Sequence, residues 1–174
     1  MEPIIFSVDT ETTGLDPATD EILQLSIVDG SNEEIFNEYF CPSYHLAWDK
    51  AAEINHITRE MVQNKPTFGE RLDAINLLFE RCEVFVGYNA GFDLRFLKKS
   101  GVIFPENMRV IDVQQMFMGK MAALGEWDHT RDRPKWRSLR ECAEFCGYKW
   151  EGEAHNSLAD AKAALACYKV LSGR

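Results

Sequence analysis

Residues 3–9 of this chain read Pro-Ile-Ile-Phe-Ser-Val-Asp, a nearly continuous apolar run that stops at an acid. Such a run suits a strand buried on both faces, which requires a sheet with cover on two sides. Glu11 follows Asp9 by two residues. Side chains along a strand repeat every two residues, so both carboxylates are expected on the same side. Taken alone, the pair also fits two turn acids at a strand end.

The rest of the chain supplies partners for that strand. Residues 21–28 and 35–41 read as two more strands, separated by the turn-rich segments Gly14-Leu15-Asp16-Pro17 and Asp29-Gly30-Ser31-Asn32. Short links between consecutive strands predict an antiparallel meander. The period then changes. Phe68, Leu72, Ile75, Phe79 and Cys82 follow helical spacing. A fourth strand is expected at about 84–89, a helix at 92–100 ending near Gly101, and a fifth strand at 109–113. Further helices are expected at about 113–123, 138–147 and 157–171. Three strands followed by alternating helix and strand predict an α/β fold, one sheet with helices on its faces. The 174 residues are read as a single domain, 1–174, with no repeat or linker.

Two bulk properties narrow the function. No apolar run approaches the roughly 20 residues that span a bilayer, and the N-terminus lacks the features of a signal peptide. The expectation is a cytoplasmic protein without membrane attachment. Five cysteines, odd in number and irregular in spacing, fit that compartment. Cys142 and Cys146 share an apolar stripe with Leu139 and Ala143 and read as small core residues. The net charge of −9 argues against a binder that relies on neutralising phosphates. It leaves room for a nuclease that meets phosphate through cations held by carboxylates.

More acids fall where apolar residues are expected. Asp93 opens the helix after the fourth strand, on the stripe of Phe96 and Leu97. Asp160 shares the stripe of Ala164, Cys167 and Leu171 in the last helix. Each has a plain alternative: Asp93 as a helix-dipole acid, and Asp160 as part of a capping box, Ser157-Leu-Ala-Asp160. Three segments nevertheless bring acid to element ends that can converge on one sheet edge. Buried unpaired carboxylates are costly, so a cation should meet them. Oxygen-only ligation suits Mg²⁺ or Mn²⁺. His155, five residues before Asp160, is expected in the preceding loop. With an ordinary pKa near ~6.5 it suits proton abstraction from water.

These residues carry a family resemblance. Asp9-Thr10-Glu11-Thr12-Thr13-Gly14-Leu15 matches the first motif of the DEDDh, or DnaQ-like, 3′→5′ exonucleases, which include the exonuclease domain of the DNA polymerase III epsilon subunit. Gly87-Tyr88-Asn89-Ala90-Gly91-Phe92-Asp93 resembles the second motif and His155-Asn156-Ser157-Leu158-Ala159-Asp160 the third. Ile54-Asn55-His56-Ile57-Thr58 is similar to the family's Ile-His-Gly-Ile-Thr segment and departs from it at Asn55 and His56.

The resemblance implies a ribonuclease H-like fold with a five-stranded mixed sheet in the order 3-2-1-4-5. It implies two divalent ions, about 3.5–4 Å apart, and release of 5′-mononucleotides from a 3′ end. Asp9 would bridge both ions, Glu11 and Asp160 would complete the water-activating one, and Asp93 would assist the other. His155 would be the base. Thr12, Thr13, Gly14, Leu15, His56, Asn89 and Phe92 would contact the terminal nucleotide; Leu15 and Phe92 equally suit core packing. The basic stretch 129–140, with Trp127 and Trp136 nearby, suits a single strand or a solvated loop. DNA is the expected substrate, with RNA trimming as the alternative and a silent nucleic-acid-binding module as a lesser one. A homodimer is compatible with the resemblance. Polymerase association lacks the C-terminal tail that proofreading subunits usually carry.

Overall fold

The computed structural model describes residues 2–150 and 156–173. Strands β1 (Ile5–Thr12), β2 (Ile22–Asp29) and β3 (Glu34–Tyr39) form the expected antiparallel meander. Helices α1 (Asp49–Asn55), α2 (Arg59–Val62) and α3 (Phe68–Phe79) follow. Strand β4 (Val84–Gly87) pairs parallel with β1, helix α4 (Ala90–Lys99) crosses over, and β5 (Arg109–Asp112) pairs parallel with β4. Helix α5 (Val113–Ala123) leads to a small hairpin, β6 (Trp127–Asp128) and β7 (Arg133–Pro134). Helices α6 (Leu139–Phe145) and α7 (Ser157–Ser172) complete the order. The five-stranded sheet runs β3-β2-β1-β4-β5, the mixed sheet of a ribonuclease H-like fold.

Strand β1 sits in the centre, as its apolar run requires. Its even residues Phe6 and Val8 point into an aromatic core with Leu25, Ile27 and Phe85, covered by α3 and α4. On the opposite face, Val28, Val84 and Val86 meet α5, α6 and α7. There α7 offers mostly small residues: Ala159, Ala161, Ala163 and Ala164 are all buried.

Three local outcomes differ from the sequence expectations. Helix α3 begins with a capping box between Thr67 and Glu70 but stops at Phe79, leaving Cys82 buried beyond the helix. Helices α1 and α2 were not expected. Their short segments bury few side chains of their own, and they are held by a third cluster of Leu23, Trp48, Ile57 and Val62. The capping box weighed as an alternative at Ser157 does not form. Asn156 is the N-cap of α7, its Oδ1 accepting from the Leu158 N–H. Ser157 lies inside the helix because its hydroxyl is taken by Ser26 of β2, 2.6 Å away. Among the described residues, no helix is long and apolar enough to cross a membrane.

Candidate active site

The period-two rule places Asp9 and Glu11 together. Their register partners on β2 are Ser26 and Gln24, on the face where α7 packs. Asp160, in the first turn of α7, comes over the end of that face. One carboxylate oxygen from each of Asp9, Glu11 and Asp160 lies within 4.8 Å of the other two. Asp93 comes from the other face. It sits in the first turn of α4, 2% exposed, and its Oδ1 accepts from the Thr10 N–H at 3.0 Å and the Thr10 hydroxyl at 2.7 Å. Thr10 therefore fastens Asp93 to β1 at the residue between the two strand acids.

The electrostatics are those of like charges crowded into a buried site. Burial, then repulsion from Asp93, Asp160 and Glu11, raises the Asp9 pKa well above the usual carboxylate range. Burial and the charges of Asp160 and Asp93 push Glu11 up to about 8, against a hydrogen bond from Asn55 that favours its ionised form. Asp93 is pushed up to about 7 by burial, although the Thr10 bonds oppose the rise. Like charges held together in this way are relieved by protons or by a divalent ion. An all-oxygen donor set from three converging carboxylates fits a hard cation such as Mg²⁺ or Mn²⁺.

A cleft of about 480 Å³ opens beside these acids, lined by Thr10 to Leu15, Lys50, Ala51, Ile54, Asn55 and Phe92. Its floor is a tight turn. The Thr12 hydroxyl donates to the Gly14 carbonyl at 2.6 Å, and Thr13 Oγ1 accepts from the Glu21 N–H. A side chain at Gly14 would displace the Asp20 carboxylate, which accepts from the Asp16 N–H at 2.9 Å and helps hold the turn. Leu15 is 83% exposed, which removes core packing as the account of that residue. Phe92 is half-buried, its ring 4.8 Å from that of Phe96.

Not every expected contact residue reaches the cleft. His56 is exposed and closes α1 in the left-handed conformation, φ 57°. Asn55 is the residue that turns inward: buried, it lines the cleft and donates to the Thr12 carbonyl. The segment 54–58 carried the signal, since Asn55 stands at the position of the family's histidine and His56 at that of its glycine, where positive φ is required. Asn89 also has positive φ, 61°, and is exposed; its N–H donates to Asp112, and its side chain makes no cap bond to α4. His155 lies outside the described residues.

The basic stretch folds partly as the β6–β7 hairpin, and three of its cations, Arg131, Lys135 and Arg137, are paired with carboxylates. Lys135 and Arg137 bind Glu126 at 2.9 and 3.0 Å, Arg137 also binds Glu141, and Arg131 faces Asp128. Trp136 is 65% exposed.

Comparison with known proteins places this arrangement. The exonuclease family (RNase_T) matches residues 6–168. The chain is 40% identical over 94 residues to a PolC-type DNA polymerase III of Thermotoga maritima, covering 52% of this chain and 7% of that protein. It is 30% identical over 174 residues to the exonuclease CP81 of Escherichia phage 186, covering 95% of this chain and 86% of that one. A DNA polymerase III subunit epsilon of Treponema pallidum is 32% identical over 67% of this chain and 56% of its own length. Among solved structures, an E. coli ExoI–ssDNA complex superposes with a TM-score of 0.79 at 22% identity, covering 100% of this chain and 41% of that chain. This likeness concerns the fold. The chain thus spans a small part of the PolC-type relatives and under half of the exonuclease I chain.

Proposed function

The chain belongs to this DnaQ-like exonuclease family, and on that premise we propose that it hydrolyses the terminal phosphodiester of a single-stranded nucleic acid, 3′ to 5′, releasing 5′-mononucleotides. The observation that carries the reading is the convergence of Asp9, Glu11 and Asp160 within 4.8 Å, beside an open cleft lined by Leu15 and Phe92. Asp9, Glu11 and Asp160 would hold Mg²⁺ or Mn²⁺, with Asp93 assisting from the α4 side. Two bound ions supply Lewis-acid stabilisation of the phosphate and a lowered pKa for the attacking water. Four carboxylates against two divalent ions leave the centre near neutral, so a phosphate meets little repulsion.

The chain's own residues do the remaining work. His155 takes the proton of the attacking water, a role the imidazole side chain commonly fills. The exposed side chain of Leu15 and the half-buried side chain of Phe92, both lining the cleft, give the terminal base an apolar seat. Asn55 orders the Thr12–Gly14 turn beneath it. DNA is the favoured substrate, because relatives at 30% identity or more carry DNA polymerase names.

The test uses two 3′-labelled single strands, one DNA and one RNA, with Mg²⁺ and with excess chelator. Label is expected to leave as mononucleotide only with metal, faster from DNA, and not from the Asp9→Ala or His155→Ala enzyme. Equal rates in chelator, or no release from either strand, would reject the proposal. Faster release from RNA would replace the substrate and keep the chemistry.

A further inference from the structure

Strand β2 is buried from Ile22 to Val28, yet carries Gln24 and Ser26 at 1% and 0% exposure. Buried polar groups need partners, and the register shows where these two find theirs. Two rows cross the sheet: Asp9–Ser26–Asn37 and Glu11–Gln24–Tyr39. Each row begins at one of the clustered acids and ends on the edge strand. The Ser26 hydroxyl donates to Asn37 Oδ1 at 3.0 Å, and Gln24 Nε2 donates to the same oxygen at 3.0 Å. With its proton so used, Ser26 accepts the proton of Ser157 across 2.6 Å. The Ser157 N–H reaches Gln24 Oε1 at 3.4 Å, and Asn156 reaches the Tyr39 phenol at the same distance. One turn on, the Asp160 N–H donates to the Asn156 carbonyl at 3.0 Å, and Ser7 Oγ donates to the Ala161 carbonyl at 2.7 Å. The start of α7 is thus keyed to the same two rows that carry Asp9 and Glu11.

We propose that Ser26 and Ser157 are positioning residues for Asp160: their hydroxyl pair, ordered by Asn37, sets where α7 begins along β1 and β2 and so where the Asp160 carboxylate stands beside Asp9 and Glu11. The inference rests on reading Asp160 as a metal ligand. A helix packed on alanines alone has many nearly equivalent settings against a sheet. A buried hydroxyl pair has one, because a shift of about 1 Å leaves two desolvated groups unsatisfied. A shift that small is enough to spoil the geometry of a metal-dependent reaction.

Mn²⁺ binding to the intact chain, followed by electron paramagnetic resonance without substrate, tests this. Ser157→Ala and Ser26→Ala are each expected to weaken Mn²⁺ about three- to tenfold, the range of one hydrogen bond. With oligonucleotide and saturating Mg²⁺, kcat should fall about tenfold while KM stays within about twofold. In the Asp160→Asn background the same serine changes should weaken Mn²⁺ no further, since the two act through one carboxylate. Phe79→Ala, which disturbs only the far core, should lower stability and leave Mn²⁺ affinity unchanged. Serine variants that bind Mn²⁺ like the parent, or that weaken it equally without Asp160, would overturn the inference and leave the exonuclease reading standing. A parent chain that binds no Mn²⁺ would overturn both.

Discussion

The two faces of the sheet are packed by different chemistry, and both deliver an acid to the same strand end. On one face, Phe6, Phe79, Phe85 and Phe104 interlock edge to face and stacked, with ring centroids 4.9 to 6.3 Å apart. On the other, α7 buries a face rich in alanine and serine, alongside Leu165, Cys167 and Tyr168. Aromatic burial contributes most of its free energy through area, which is not directional. A small-residue face contributes less area but fixes position, because its buried hydroxyls are satisfied only in one setting. The aromatic face brings in Asp93, whose placement is secured locally by Thr10. The serine face brings in Asp160 from the first turn of α7, so its position follows the setting of that helix.

The largest effect expected is at the acids both faces serve. Asp9→Asn should lower kcat by about 10³-fold or more, on the scale of removing a central catalytic group. The same change should raise the metal-free melting temperature at pH 8, because it deletes one of several like charges held together. A mutant that is inactive and less stable would mean that the carboxylate is paired rather than repelled.

Next come the two packing changes that separate the faces. Phe79→Ala is expected to cost about 3–5 kcal/mol, and to leave kcat per folded molecule within about twofold. Ser7→Leu, which crowds α7 at Ala161, is expected to cost about 1–3 kcal/mol and to lower kcat more than tenfold. Urea unfolding and single-turnover rates measured side by side would decide. If the two variants lose activity in proportion to stability, the faces do not differ in the way argued.

How much of this was legible beforehand follows the same division. The aromatic face is written in periodicity: Phe68, Leu72, Ile75 and Phe79 along the helix, and the apolar run of β1. Asp9 and Glu11 fall on one side by the strand repeat, and Asp93 and Asp160 were readable as inward-facing from their stripes. The serine face was not readable. Ser26 and Ser157 are 131 positions apart, and a serine within an apolar strand carries no sign of its partner. Local rules offer Ser157 only a capping-box alternative, because they see S-x-x-D and not the strand beneath it. Helices α1 and α2 escaped for a similar reason, since Trp48 and Val62 are buried by Leu23, a residue of another element. Asn55 was hidden behind its neighbour His56, whose role depends on a positive φ that sequence does not print.

A third prediction concerns pH. Without metal, Glu11 is raised to about 8 and Asp93 to about 7. Between the ordinary carboxylate range and pH 8 the folded protein holds protons that the unfolded chain has released, so stability falls as pH rises through that window. The melting temperature of the chelated protein should therefore decline from pH 5.5 to 8.5, each kcal/mol appearing as about 2–4 °C for a chain of this size. Saturating Mg²⁺ should flatten or reverse the slope, because bound cations keep the carboxylates ionised. A slope that is the same with and without metal would separate these acids from cation binding.

The smallest effect is expected at Leu15, which belongs to neither face. It is 83% exposed beside the cleft, so its removal leaves no cavity and should not move the melting temperature by more than about 1 °C. If it seats the terminal base, Leu15→Ala loses part of an apolar contact worth about 1–2 kcal/mol and should raise KM for a single strand about three- to tenfold at constant kcat. A fall in kcat at unchanged KM would instead mean that Leu15 holds the scissile phosphate in register, which would tie the cleft to the positioning face. Unchanged kinetics would leave Phe92 as the apolar seat, and with it the aromatic face as a contributor to binding as well as to stability.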